Sequence, residues 1–244
     1  MKKLFNVLVV VLLAVCMLNL TACGGNEDDS FKIGLICLHD ESSTYDKNFI
    51  DSMYRALDEL GLEKDQLELV TGIGEDETCY QKASELAQTC DIVFADSFGH
   101  EDYMIQAAKE NEDVWFCHST GTKAHTKMLG NYFNAFASIY EGRYLAGITA
   151  GMKLNEMIKN GDITEAEAII GYVGAYPYAE VVSGYTAFYL GAKSVCPSAT
   201  MKVRYTSEWY DYDKEKAAAE ALIKTDGCVL ISQHADSYGA PEAC

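Results

Sequence analysis

The side chains in this chain that can do chemistry fall in short clusters, and most of these clusters close an apolar run. His39, Asp40 and Glu41 follow "KIGLICL", Asp96, Ser97 and Phe98 follow "IVFA", and His118, Ser119 and Thr120 follow "VWFC". Further along stand Tyr176, then Glu208, Trp209 and Asp211, then Gln233, His234, Asp236 and Ser237. His39 beside Asp40, and His234 two residues from Asp236, have the atom types for a divalent cation or an acid–base pair. Neither spacing matches a zinc signature, and GxSxG, HExxH and P-loop patterns are absent from the sequence. Catalysis and a metal centre are therefore disfavoured: no enzyme activity and no cofactor are expected. The mixture suits recognition of a small molecule, with aromatic faces supplying stacking and apolar contact while carboxylates and amides fix orientation.

The elements around these clusters explain why they end apolar runs. From residue 31 onward, β-rich runs alternate with amphipathic helical stretches. "FKIGLICL", "LELVTGI", "DIVFAD" and "VWFCHST" read as strands, separated by helical segments over about 46–60, 77–89 and 99–111. Each strand is almost continuously apolar, as a parallel sheet covered on both faces requires. In the first helix the spacing places Phe49, Met53, Ala56, Leu57 and Leu60 on one stripe. "LGNYFN" over 129–134 reads as a short strand or crossing segment and leads into a long helix from about 137 to 158. "AIIGYVGA", a helix starting near Pro177, "TMKVRYTS", a helix over about 213–224 and "CVLISQ" then make a second α/β lobe. The expected organisation is an N-terminal α/β lobe over 31–130 and a second over 131–244. That second lobe is expected to be incomplete, as in a fragment, because three strands leave an unpaired edge. In open α/β sheets ligands sit beyond the carboxyl ends of the strands, so facing lobes would bring the polar clusters together across a cleft.

Ahead of the lobes, Lys2 and Lys3 precede an apolar stretch over 4–20, the layout of a secretory signal peptide over 1–22. Leu20-Thr21-Ala22-Cys23 resembles the bacterial lipobox, which makes Cys23 the expected lipidation site. Residues 23–30 would then be a lipidated cysteine with a flexible acidic tether, and the protein a lipoprotein on the extracytoplasmic face of the cell membrane. The formal net charge is −18, and loss of Lys2 and Lys3 makes the mature chain more acidic still. Such a surface excludes nucleic acid as a partner and favours a neutral or cationic ligand over a polyanion. Seven cysteines follow Cys23, and an odd number cannot all pair internally. Several sit inside apolar runs, where a free thiol behaves as a small hydrophobe, so most are expected to be core thiols.

Six segments in order, "HDESSTYDKNFIDSMYRAL", "DIVFADSFG", "IYEGRYLAGITAG", "IGYVGAYPYAEVVSGYTAFYLGAKSV", "SEWYDYDKEKAAAEALI" and "ISQHADS", resemble the basic membrane protein family of ABC-transporter solute-binding lipoproteins. The resemblance covers residues 31 to 244. It implies a two-lobed type I periplasmic-binding-protein fold with Rossmann-like parallel sheets, a nucleoside or nucleobase ligand, and ABC permease and ATPase subunits as partners. Residue by residue, it implies that Asp40 accepts hydrogen bonds from the ligand and that Phe49 in "DKNF" stacks on a base face, with Ile50 where the family has asparagine. It also implies that Phe98, with Ser97 beside it, offers an aromatic at the third strand end, and that Trp209 stacks on the ligand's other side. The family's "AGGTG" loop is replaced by "SQHADS", so Gln233, His234 and Asp236 would read a different edge or a different ligand. Without the resemblance, Phe49 reads as core, Asp40 as a turn cap, Asp96 and Asp211 as helix or loop caps, and Glu141 as a partner for Arg143. A ligand-sensing lipoprotein of the same fold and, less favoured, a nucleoside hydrolase are the alternatives.

Overall fold

A short strand of four apolar residues, β1 (Ile33–Ile36), is buried along its whole length and is an interior strand of the first lobe's sheet. The computed structural model describes residues 30–244; the expected signal peptide, Cys23 and the tether as far as residue 29 lie outside them. β1 pairs in parallel with β2 (Leu67–Val70) on one side and β3 (Ile92–Ala95) on the other. β3 pairs with β4 (Trp115–His118), and β4 with β5 (Tyr132–Asn134), giving the order β2-β1-β3-β4-β5. Crossover helices α1 (Thr44–Leu60), α2 (Glu77–Leu86) and α3 (Glu101–Glu110) connect the first four strands. α1 covers one face, burying Ile50 and Leu57 against Leu35, Cys37 and Leu67. α2 and α3 cover the other with Cys79, Leu86, Met104 and Ala108 against Val93 and Phe116. Each large aliphatic side chain so buried contributes about 1.5–3 kcal/mol.

The helices begin where the sequence supplies caps. Ser43 Oγ accepts the Asp46 amide at α1, and Asp76 Oδ1 accepts the Thr78 amide at α2. α1 ends at Gly61 in the left-handed conformation (φ 69°), with the Leu62 amide bonded back to the Leu57 carbonyl. Its core stripe is Ile50–Leu57, not the row through Phe49 and Leu60; Leu60 is 67 % exposed.

A short helix, α4 (Ala124–Lys127), precedes β5. Because β5 pairs with β4, the chain leaves the first sheet after residue 134, past the boundary expected at 130. It enters α5 (Ile139–Asn160), then β6 (Ile169–Gly174), α6 (Ala179–Val195), β7 (Thr200–Tyr205), α7 (Tyr212–Lys224), β8 (Leu230–Gln233) and α8 (Gly239–Ala243). The second sheet is parallel in the order β7-β6-β8. α6 starts at Ala179 with Tyr178 as its cap residue, so Pro177 precedes the helix and does not occupy its first turn.

α5 and α6 lie against each other with almost no side-chain spacer. A β-carbon on Gly147 would collide with the Phe188 carbonyl oxygen, and one on Gly191 with that of Tyr144. Beneath them Tyr172 of β6 is fully buried and meets Tyr185 and Phe188 edge-on. Six of the seven cysteines are buried free thiols and Cys244 is exposed, as expected for core thiols. Among the described residues no helix is long and apolar enough to cross a membrane.

Candidate functional site

The carboxyl ends of both sheets open onto one cavity of about 450 Å³, inside the ~300–1,000 Å³ range of small-molecule sites. From the first lobe it is lined by Leu38 and His39 after β1, by Tyr45, Asp46, Asn48, Phe49 and Ser52 of α1, by Ser97 and Phe98 after β3, and by Thr120 after β4. The crossing segment contributes Ala135, Phe136 and Ala137. From the second lobe come Ile139 and Arg143 of α5, Glu180 of α6, Trp209 after β7, and His234 and Asp236 after β8. The lobes touch at its rim: Thr44 Oγ1 donates to the Asp236 carbonyl at 3.2 Å, and His39 packs on Tyr210 with centroids 5.4 Å apart.

Of the eight residues expected to contact ligand, Phe49, Ser97, Phe98, Trp209, His234 and Asp236 line this cavity. Phe98 stacks on Tyr178 at 5.1 Å and touches Trp209 at 6.2 Å, and Trp209 meets Tyr176 edge-on at 5.1 Å. Phe98 and Trp209 therefore form one continuous wall, leaving Phe49, half-buried against Tyr45, as a separate aromatic face. Ser97 Oγ donates to Glu75 Oε1 at 2.6 Å, so its remaining capacity is as an acceptor. His234 Nε2 lies 3.0 Å from Glu180 Oε2, and its Nδ1 is buried without a partner.

Two expected residues are placed elsewhere. Asp40 is exposed and its carboxylate accepts both the backbone amide (2.9 Å) and the hydroxyl (2.6 Å) of Ser42, an Asx turn that aims it away from the cavity. Gln233 spends its side-chain NH2 on the carbonyls of Ala235 and Ser237, stapling the loop after β8, while its backbone carbonyl accepts from Arg143 Nη1 at 3.1 Å. Asp211 is the cap of α7, with Oδ1 accepting the Lys214 amide, and Glu141 is exposed, with Arg143 committed to Gln233.

The carboxylate that faces the cavity after β1 is Asp46. Its Oδ1 accepts the His39 amide at 2.8 Å and its Oδ2 lies 3.4 Å from His39 Nδ1. Burial opposes its charge, yet the hydrogen bonds from His39 and Ser43 hold its pKa below the ordinary carboxylate value, and the interaction with Asp46 raises that of the His39 imidazole. Asp96, fully buried behind it, goes the other way. Burial first, then the Asp46 charge, push it well above the ordinary range. Of the two carboxyls, Asp96 is thus the one that holds its proton more tightly. Cys37, Asp46 and Asp96 bring one potential ligand atom each within 4.8 Å, but burial also keeps the Cys37 thiol protonated. Within the trio it is Asp46 that orients His39. His39 stood among the strand-end residues in the sequence, and Asp46 lay in the same "DKNF" segment as Phe49; Arg143, Glu180 and Phe136 carried no comparable signal.

Two α/β lobes whose parallel strands all point their carboxyl ends at a shared cavity define the type I periplasmic solute-binding fold. A solute-binding protein of an ABC transporter system from Conexibacter woesei matches with a TM-score of 0.64 at 21% identity, over 88% of this chain and 67% of its own. Residues 33–241 match the Bmp family, described as ABC transporter substrate-binding protein PnrA-like, and the chain belongs to that family. A purine-binding protein of Brucella abortus is 41% identical over 149 residues, 61% of this chain and 38% of that protein. A putative ABC transporter glucose-binding protein of Haloferax volcanii is also 41% identical, over 153 residues, 63% of this chain and 35% of that protein. The chain thus spans little more than a third of the length of these curated relatives.

Proposed function

We propose that this protein is the extracytoplasmic receptor of an ABC importer, anchored through lipid on Cys23, and that it captures a purine base, a nucleoside or a similar flat, neutral heteroaromatic solute between its lobes. The observation that carries this reading is the lining of the cavity. Phe49 on one side and the Phe98–Trp209 wall on another offer stacking surfaces, while Asp46, His39, His234 and Asp236 supply polar contacts at the edges. A hexose, suggested by the name of the haloarchaeal relative, needs a polar partner for nearly every hydroxyl, whereas Tyr45, Phe49, Phe98, Phe136 and Trp209 make much of this lining aromatic. Capture works by closure: ligand bridging the two lobes stabilises the closed cleft that a permease recognises.

Isothermal titration with adenine, hypoxanthine, guanine, their nucleosides and glucose tests the assignment. At least one purine compound binds, glucose does not, and Trp209→Ala weakens that binding by about tenfold or more, about 1.4 kcal/mol. Asp40→Ala, outside the cavity, leaves it unchanged. Binding of glucose alone, or equal affinity in Trp209→Ala, contradicts the reading.

A further inference from the structure

The carboxyl groups around the cavity differ in the hydrogen bonds they receive. Glu215 on α7 takes the Ser237 amide on both oxygens (3.1 Å each) and the Asp211 amide on one, and Asp46 takes the His39 amide and faces its ring. Glu180 has His234. Asp236 is the exception: among the described residues no protein group donates to its carboxylate, although its backbone is tied at both ends, the amide to the Trp209 carbonyl (2.9 Å) and the carbonyl to Thr44 across the cleft (3.2 Å). Its side chain is thus held in the wall of the cavity with both oxygens uncommitted.

The charges that face it are unequal. Asp46 from α1 and Glu215 from α7 repel a negative charge there; His39 after β1 and Arg143 on α5 attract it, and Tyr45 of α1 adds apolar cover. A half-buried carboxylate with no donors, beside the carboxyl groups of Asp46 and Glu215, is costly, and protonation removes the charge while creating an O–H donor.

We propose that Asp236 acts in the closed cleft as a neutral carboxyl that donates a hydrogen bond to the bound solute, so that the site selects a heteroaromatic with a ring nitrogen or ring carbonyl acceptor at that edge and takes up a proton on capture. Burial first, then repulsion by Asp46 and Glu215, push the group up to about 8 when the cleft is closed. Opening separates it from Asp46 and His39 and returns it towards the ordinary carboxylate range near 4. Affinity is therefore full below about pH 4, falls by roughly tenfold per pH unit above that, and loses the contribution once pH passes the closed-state value. The proton comes from solvent and returns to it on release. This inference rests on the receptor reading above.

The test is calorimetric titration of the wild-type protein with hypoxanthine, adenine, guanine and inosine at pH 6.0 and 7.5, in buffers of different ionisation enthalpy. The expected result is uptake approaching one proton per purine bound and an affinity about 25-fold weaker at pH 7.5 than at pH 6.0. Asp236→Asn, which keeps a donor but cannot titrate, binds with no such slope; Asp236→Ala binds more weakly than Asp236→Asn at both values. Thermal melts confirm that both variants fold. Binding without proton uptake, or the same slope in Asp236→Asn, overturns the inference and leaves the receptor reading intact. Failure of every purine to bind overturns the receptor reading and this inference with it.

Discussion

Asp40 and Asp46 stand six residues apart in one polar stretch, and the structure gives them opposite surroundings. Asp40 turns out to Ser42, while the start of α1 carries Asp46 back over the His39 amide. Which of the two faces the cavity depends on how the loop after β1 closes on itself, and spacing alone does not encode that. Phe49 shows the reverse case. The residue types of "DKNF" were legible, and burial of the neighbouring Ile50 in the core is what frees Phe49 for the cavity. His118, another strand-end residue, is fully buried, with Nε2 2.6 Å from the Ser97 carbonyl, and burial lowers it to about 4. Its folded-state value lies below that of an unfolded chain near 6.5, so the unfolded state binds the proton more readily. Its contribution is therefore present above about pH 6.5 and is lost as pH falls towards 4, by about 3 kcal/mol in total. Urea unfolding at pH 7.0 and 4.5 should show a smaller acid-induced loss in His118→Gln than in the wild type. An equal loss in both would contradict this assignment.

At the scale of elements, the strands and crossover helices were readable because buried parallel strands are continuously apolar and alternate with amphipathic stretches, whereas the caps Ser43 and Asp76 appear only in the structure. The membership of β5 was not readable. Three residues, of which Tyr132 is buried and Phe133 exposed, carry too little pattern to say that they pair with Phe116–His118. Nor did spacing reveal how closely α5 and α6 approach, since that depends on which glycines face each other. Two glycines of one helix separate the effects. Gly142 on α5 has open space where a β-carbon would go, whereas Gly147 meets the Phe188 backbone. Gly142→Ala should be neutral or stabilise by up to about 1 kcal/mol through helix propensity. Gly147→Ala should cost about 1–3 kcal/mol by forcing the helices apart. Denaturant midpoints for the two variants check the pair, and equal midpoints would contradict the close packing.

For the whole molecule, two lobes and a cleft at the strand ends follow from the alternation of elements, and the family match over residues 33–241 agrees. The cavity itself is a product of long-range approach. Thr44 meets Asp236, Phe98 stacks on Tyr178, and Arg143 reaches Gln233 across 90 positions of sequence. These contacts join the lobes or brace the second one, so a ligand touching both sides adds directly to the stability of the closed form. A thermal unfolding scan of residues 24–244, with and without the purine bases, their nucleosides and glucose, measures that addition most directly. A solute bound only by the native protein at one hundred times its dissociation constant stabilises it by about 2.7 kcal/mol. The account predicts a raised midpoint with at least one purine compound, none with glucose, and a markedly smaller rise in Trp209→Ala. A sharp wild-type transition that no purine moves would contradict it.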